Sequence, residues 1–83
     1  MNVKNQIEKE AIRRLKELQK TPSKKSMRVV NDLIHKLFIV DRSINSEIQV
    51  LLEDFLAKEL ANQKSFECKE ISELANTCLM IQN

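Results

Sequence analysis

"LQKTPSKKSMR", residues 18–28, decides how this chain is to be read. It holds the only proline, Pro22, between a threonine and a serine, and it carries Lys24, Lys25 and Arg28 just beyond. Hydrophobic residues recur at helical spacing on both sides of it. Val3, Ile7, Ala11, Leu15 and Leu18 come before; Met27, Val30, Leu33, Ile34, Leu37 and Phe38 come after, with Val29 widening the second stripe. Steps of three and four keep one face of a helix apolar. The residue ahead of a proline is pushed from helical to extended dihedrals, so one helix must stop near Lys20 and another start. The spacing predicts helix 1 over about 2–20 and helix 2 over about 22–40. Thr21 is expected as the cap and Pro22 as the first helical residue, where its missing N–H costs nothing. Ser23 is the competing cap. A helix start beside three cations also attracts anions, and the hydroxyls are potential phosphorylation acceptors, but punctuation is the primary role of the stretch.

Further along, Asp41-Arg42-Ser43 interrupts the pattern, and either Ser43 or Asn45 is expected to cap helix 3 over about 44–62. Its apolar face is Ile44, Ile48, Leu51, Leu52, Phe55, Leu56 and Leu60. Asn62-Gln63-Lys64 is expected to end it and Ser65 to cap helix 4, about 66–80, with Phe66, Ile71, Leu74, Ala75, Cys78 and Leu79 on the buried side. Residues 1–83 thus read as one all-α domain: a small antiparallel bundle of three to four amphipathic helices, since short connections favour antiparallel neighbours. The alternative is two or three longer helices whose apolar faces close only in a dimer. In either case a homodimer is expected, because helices 2 and 3 carry wide apolar faces and the basic and acidic halves are complementary across a two-fold axis.

Composition removes whole classes of chemistry. Without a glycine, phosphate-binding loops, dinucleotide fingerprints and nucleophile elbows cannot be built in their usual form. One histidine, His35, and two cysteines ten residues apart, Cys68 and Cys78, are too few for a zinc site. The thiols read as buried, reduced small hydrophobes, and His35 as a boundary residue. Carboxylates at Glu53 and Asp54, and at Glu67, Glu70 and Glu73, fall on polar faces, where solvated charge is the ordinary explanation. The expectation is no enzyme, no cofactor and no metal. The longest internal apolar run, Leu37-Phe38-Ile39-Val40, is far below the roughly 20 residues of a membrane span. Met1–Glu8 has no apolar core and is no signal peptide, so a cytoplasmic location is expected.

The net charge of +2 hides an asymmetry. Residues 1–42 carry eleven Lys/Arg against five Asp/Glu; residues 43–83 carry three against seven. The basic half can answer an acidic protein, a nucleic acid or an anionic membrane surface, or its own acidic half. Arg13, Lys20, Lys24, Lys25 and Arg28, around the first connection, are the expected partner-binding residues, acting by steering and register. The expected function is a non-catalytic regulator that binds and inhibits or sequesters another protein. A DNA-associated regulator using the same residues on phosphates is the alternative, although all three aromatics are phenylalanines on apolar faces, with no stacking platform.

"VVNDLIHKL" (29–37) and "LLEDFLAKELANQKSFECKEISEL" (51–74) resemble the small helical bacteriocin immunity proteins of the enterocin A type. In that family a long amphipathic helix ends in a short polar break, and a capped final helix follows. The chain departs from the family in lacking a longer C-terminal tail bearing aromatics and glycine. The resemblance implies a cytosolic protein that protects a membrane by binding a pore-forming complex; a small phage lysis inhibitor would fit the same physical description.

Overall fold

Thr21 and Pro22 belong to neither of the helices they separate. In the computed structural model, which describes residues 3–61 and 68–82, the elements are α1 (Val3–Lys20), α2 (Lys24–Val40), α3 (Ser46–Leu60) and α4 (Lys69–Gln82). The described residues contain no strand, and the all-α reading holds. The Thr21 N–H closes the last turn of α1 on the Glu17 carbonyl at 2.8 Å, so this residue finishes one helix and cannot cap the next. The cap is Ser23, with extended dihedrals (φ −150°, ψ 151°) and an Oγ that accepts the Ser26 N–H at 3.1 Å. The expected order, Thr21 then Pro22 inside the helix, is therefore shifted by two residues.

The second break is built from a carboxylate and an amide. Asp41 closes α2 by donating its N–H to the Leu37 carbonyl at 2.8 Å, while its carboxylate accepts the Ser43 N–H at 2.9 Å. Asn45 then starts α3, its side-chain oxygen taking the Glu47 N–H at 2.8 Å. Ser43 is already bound to Asp41 and is not the cap. No described residue has a positive φ, so these reversals need no glycine. The expected end of helix 3 at Asn62-Gln63-Lys64, the cap Ser65 and the contributions of Phe66 and Glu67 lie outside the described residues. Cys68 precedes the first residue of α4, so that helix begins later than its pattern alone predicts.

Two of the three connections join antiparallel neighbours. Lys4 at the start of α1 reaches Asp41 at the end of α2 (2.6 Å), and Gln49 early in α3 reaches the Ile81 carbonyl late in α4 (3.2 Å). The link from α2 to α3 behaves differently. Among the described residues α1 packs on α2 and α3, and α4 packs on α2 and α3, while α2 and α3 stand on opposite corners. Lys16–Glu47 (3.8 Å) and Gln19 to the Leu51 carbonyl (3.3 Å) bring the first turns of α3 to the second half of α1. A five-residue link can span at most about 17 Å, enough to carry the chain along α1 from Asp41 to that position. Two hairpins are thus laid together with α2 beside α4.

Each helix gives one stripe to a shared core. Ala11, Leu15 and Leu18 come from α1; Met27, Val30, Ile34 and Leu37 from α2; Ile48, Leu52, Phe55 and Leu56 from α3; Ile71, Leu74, Cys78 and Ile81 from α4. Much of the wide apolar faces of α2 and α3 is buried within the one chain. The stripes overshoot at their ends. Val3, at the first residue of α1, is exposed, and so is Leu79, which stands 100° round the helix from Cys78. Ile81, beyond the expected end of helix 4, is buried instead.

Phe55 is 1% exposed, so Phe55→Ala is expected to cost about 3–5 kcal/mol, on the order of half of the roughly 4–12 kcal/mol a chain of this length holds. The variant should unfold at a much lower urea concentration than wild type in a titration followed by circular dichroism. In the same assay Ser23→Ala should lose about 1 kcal/mol, while Thr21→Ala stays near wild type.

Candidate functional site

The five cations expected to form a binding surface divide into two groups. Arg13, in mid-α1, is bound by its own helix: its guanidinium meets the Glu10 carboxylate and, at 2.9 Å, Glu17. Arg14 shares both acids, at 3.0 Å from Glu10 and 4.0 Å from Glu17. The Arg13 and Arg14 guanidinium groups hold the Glu10 carboxyl below its ordinary value. Arg13 is thus neutralised where it stands. Lys20, Lys24 and Lys25 are different. They are exposed at the last residue of α1 and the first two of α2, and no carboxylate among the described residues lies within ion-pair distance of them. Arg28, one turn further, reaches Glu70 of α4 loosely at 3.7 Å.

This corner is indented on both sides. Towards α1 a shallow hollow is lined by Glu17, Lys20, Thr21, Ser23 and Ser26. Towards α4 another is lined by Lys25, Arg28, Val29, Asn31, Asp32 and Glu73, and it continues past Asn31 and Glu73 to His35, Asn76, Thr77 and Met80. The lysines therefore sit on a ridge between two open concavities whose walls carry both signs of charge. Among the described residues, acids of the second half answer cations of the first at Lys16–Glu47 and Arg28–Glu70, with the charge of Lys24 also acting on Glu70.

The floor of the α2–α4 concavity is a polar joint that the hydrophobic pattern did not show. Thr77 is buried, at 3% exposure, among the apolar residues of α4. Its hydroxyl touches the Asn31 amide oxygen, lies 3.0 Å from the Glu73 carbonyl, and stands 3.1 Å from His35 Nε2. A hydroxyl has one proton and two lone pairs, so it can donate to one of these groups while accepting from another, with the roles at His35 Nε2 set by the ring's tautomer. The histidine ties α2 to α4 through this hydroxyl. The signal available in sequence was the alignment of Asn31 and His35 four apart on α2 with a lone Thr at a core position of α4.

The remaining polar groups have structural work. Glu70 is held below its ordinary value by its own backbone N–H in the first turn of α4, with help from the Cys68 thiol and the charges of Lys24 and Arg28. Glu73 lies 3.8 Å from Lys69. Cys68 is half-buried and Cys78 buried, both as free thiols, and burial pushes the Cys78 thiol up. Among the described residues no group of three or more His, Cys, Asp or Glu could hold a metal ion, and no helix is long and apolar enough to cross a membrane. Compared with protein families, curated proteins and solved structures, the chain finds no match in any of the three.

Two outcomes follow for stability. Thr77→Val keeps the shape but removes the group shared by Asn31 and His35, and should cost about 1–3 kcal/mol in chemical unfolding. Lys4, with the Ser43 N–H, holds the Asp41 carboxyl below its ordinary value. A lowered folded pKa stabilises above the unfolded value of about 4 and is lost as pH falls through the folded one. Asp41→Asn should therefore lower stability slightly on the neutral side and make the acid limb of a stability–pH curve shallower, the two curves converging below about pH 4.

Proposed function

We propose that this chain is a non-catalytic regulator that acts by docking its basic corner on an acidic surface of another protein, thereby inhibiting or sequestering it. The observation that carries the reading is the cluster of Lys20, Lys24 and Lys25, exposed at one corner with no carboxylate among the described residues within ion-pair distance, while Arg13 is already paired with Glu10 and Glu17. Exposed charges of one sign steer a partner of opposite sign and fix its register more than they add affinity. The hollows on either side give that partner relief to fit.

The walls of those hollows favour a protein over a nucleic acid. Glu17, Asp32 and Glu73 line them, and a continuous phosphate backbone would meet these carboxylates as like charges. A protein surface of mixed sign can answer both. The resemblance of residues 29–37 and 51–74 to bacteriocin immunity proteins supports a partner belonging to a pore-forming or lytic membrane system, met from the cytoplasmic side.

The test compares tagged wild type with the Lys20→Glu/Lys24→Glu/Lys25→Glu variant in affinity capture from the native cell, at about 50 mM and about 300 mM salt. The reading expects a nuclease-resistant protein partner whose retention falls at least about tenfold in the variant and weakens with salt. Equal retention by the variant would overturn the role of the corner. Nucleic acid in the captured material, with a mobility shift on duplex DNA lost in the variant, would establish the DNA-associated reading in its place.

A further inference from the structure

The run Leu37-Phe38-Ile39-Val40 closes α2 with four consecutive apolar residues. Successive helical residues stand 100° apart, so four in a row wrap most of the way round and one stripe cannot bury them all. Leu37 is 1% exposed, whereas Ile39 is 83% and Val40 58% exposed, and Phe38 is only half-buried. The Lys4–Asp41 pair sets the first turn of α1 at this same end, where Val3 is 62% exposed. Nothing in the core explains why a helix end should be apolar all round.

The charges at this end are unequal. Lys4, Lys36 and Arg42 stand there against Glu8 and Asp41, and Asp41 is engaged by Lys4, so Lys36 and Arg42 outnumber the remaining acid. The Arg42 guanidinium lies over the Phe38 ring, 5.8 Å from its centroid, so a cation and a partly open aromatic face share one spot. We propose that this end of the α1–α2 hairpin is a docking surface for an anionic lipid bilayer, with Ile39, Val40 and Val3 entering the headgroup boundary and Lys36 and Arg42 meeting the lipid charges.

Two considerations select this occupant over a second copy of the chain. A two-fold contact through the patch would set its excess of cations against the same excess in the twin, whereas an anionic leaflet attracts each of them. The three aliphatic side chains present on the order of 200 Å² of apolar surface, well short of the roughly 800 Å² per partner of a standard protein interface. Shallow insertion beside basic residues needs no more than that. The other end of the hairpin lies one helix length away, about 25 Å for the 17 residues of α2, so a bilayer-bound molecule would still present Lys20, Lys24 and Lys25 to a partner. The inference does not rest on the proposed partner binding.

The test is co-flotation of the full chain with phosphatidylcholine vesicles containing about a quarter phosphatidylglycerol. We expect binding that drops at least about tenfold on pure phosphatidylcholine, and by a similar factor in Ile39→Ser/Val40→Ser and in Lys36→Glu/Arg42→Glu. These side chains are exposed, so circular dichroism should confirm unchanged helix content in both variants. No flotation with the anionic vesicles would overturn the proposal. So would flotation kept by the Ile39/Val40 variant and lost by the Lys20/Lys24/Lys25 one, since binding would then run through the opposite end. A dimer in sedimentation that Ile39→Ser dissolves would assign the surface to a second copy instead.

Discussion

The hydroxyl of Thr77 is the contact on which the arrangement of the four helices depends. Four amphipathic helices with one apolar stripe each can be packed in more than one order, because aliphatic contacts are non-directional and tolerate exchange. Polar contacts are directional: the Thr77 hydroxyl is satisfied within α4 by the Glu73 carbonyl, but Asn31 and His35 meet it only in one placement of α2. Thr77 finds Asn31 and His35 only if α4 lies along α2, at the register that sets Glu70 near Arg28. Placing α2 and α4 side by side leaves α3 to cover the other flank of α4 and the second half of α1. The diagonal placement of α2 and α3 follows.

A chain without glycine makes its reversals with side chains. Ser23 takes the orphan N–H of Ser26, Asn45 takes that of Glu47, and Asp41 holds Ser43 while ending α2. Each is a short polar residue that competes for backbone groups and is therefore stable at a helix boundary rather than inside one. Fixed boundaries matter for the charged surface as well. Because Ser23 rather than Thr21 is the cap, Lys24 and Lys25 become the first residues of α2, and with Lys20 they bracket the turn.

The helices and the four core stripes were legible from spacing, since apolar residues at three- and four-residue steps have no comparable burial in a strand. Leu15, Ile34, Leu52 and Leu74 fall where the pattern puts them. What spacing could not resolve was which end of each stripe outlasts its neighbours. Leu79 and Ile81 differ only in angle round α4, and the choice between them depends on where α3 and α2 stand. The Thr21–Ser23 ambiguity was local, two hydroxyls flanking one proline, and it was decided by the Thr21 N–H being taken up in α1. The polar joint was invisible because Asn31, His35 and Thr77 are 42 to 46 residues apart between the helices. Of the expected binding residues, Arg13 is set apart by Glu10 and Glu17, three and four residues away on its own helix, whereas the lack of a carboxylate within ion-pair distance of the three lysines depends on how the helices pack.

The placement of α4 beside α2 can be tested most directly by nuclear Overhauser spectroscopy on the His35 ring. The ring stands at 3.1 Å from the Thr77 hydroxyl, so its protons should show strong cross-peaks to the Thr77 methyl group, and Thr77→Val should keep them while altering the ring's tautomer signature. Cross-peaks from the His35 ring to side chains of α3 instead, with none to Thr77, would contradict the account and return the fold to a sequential up-and-down bundle.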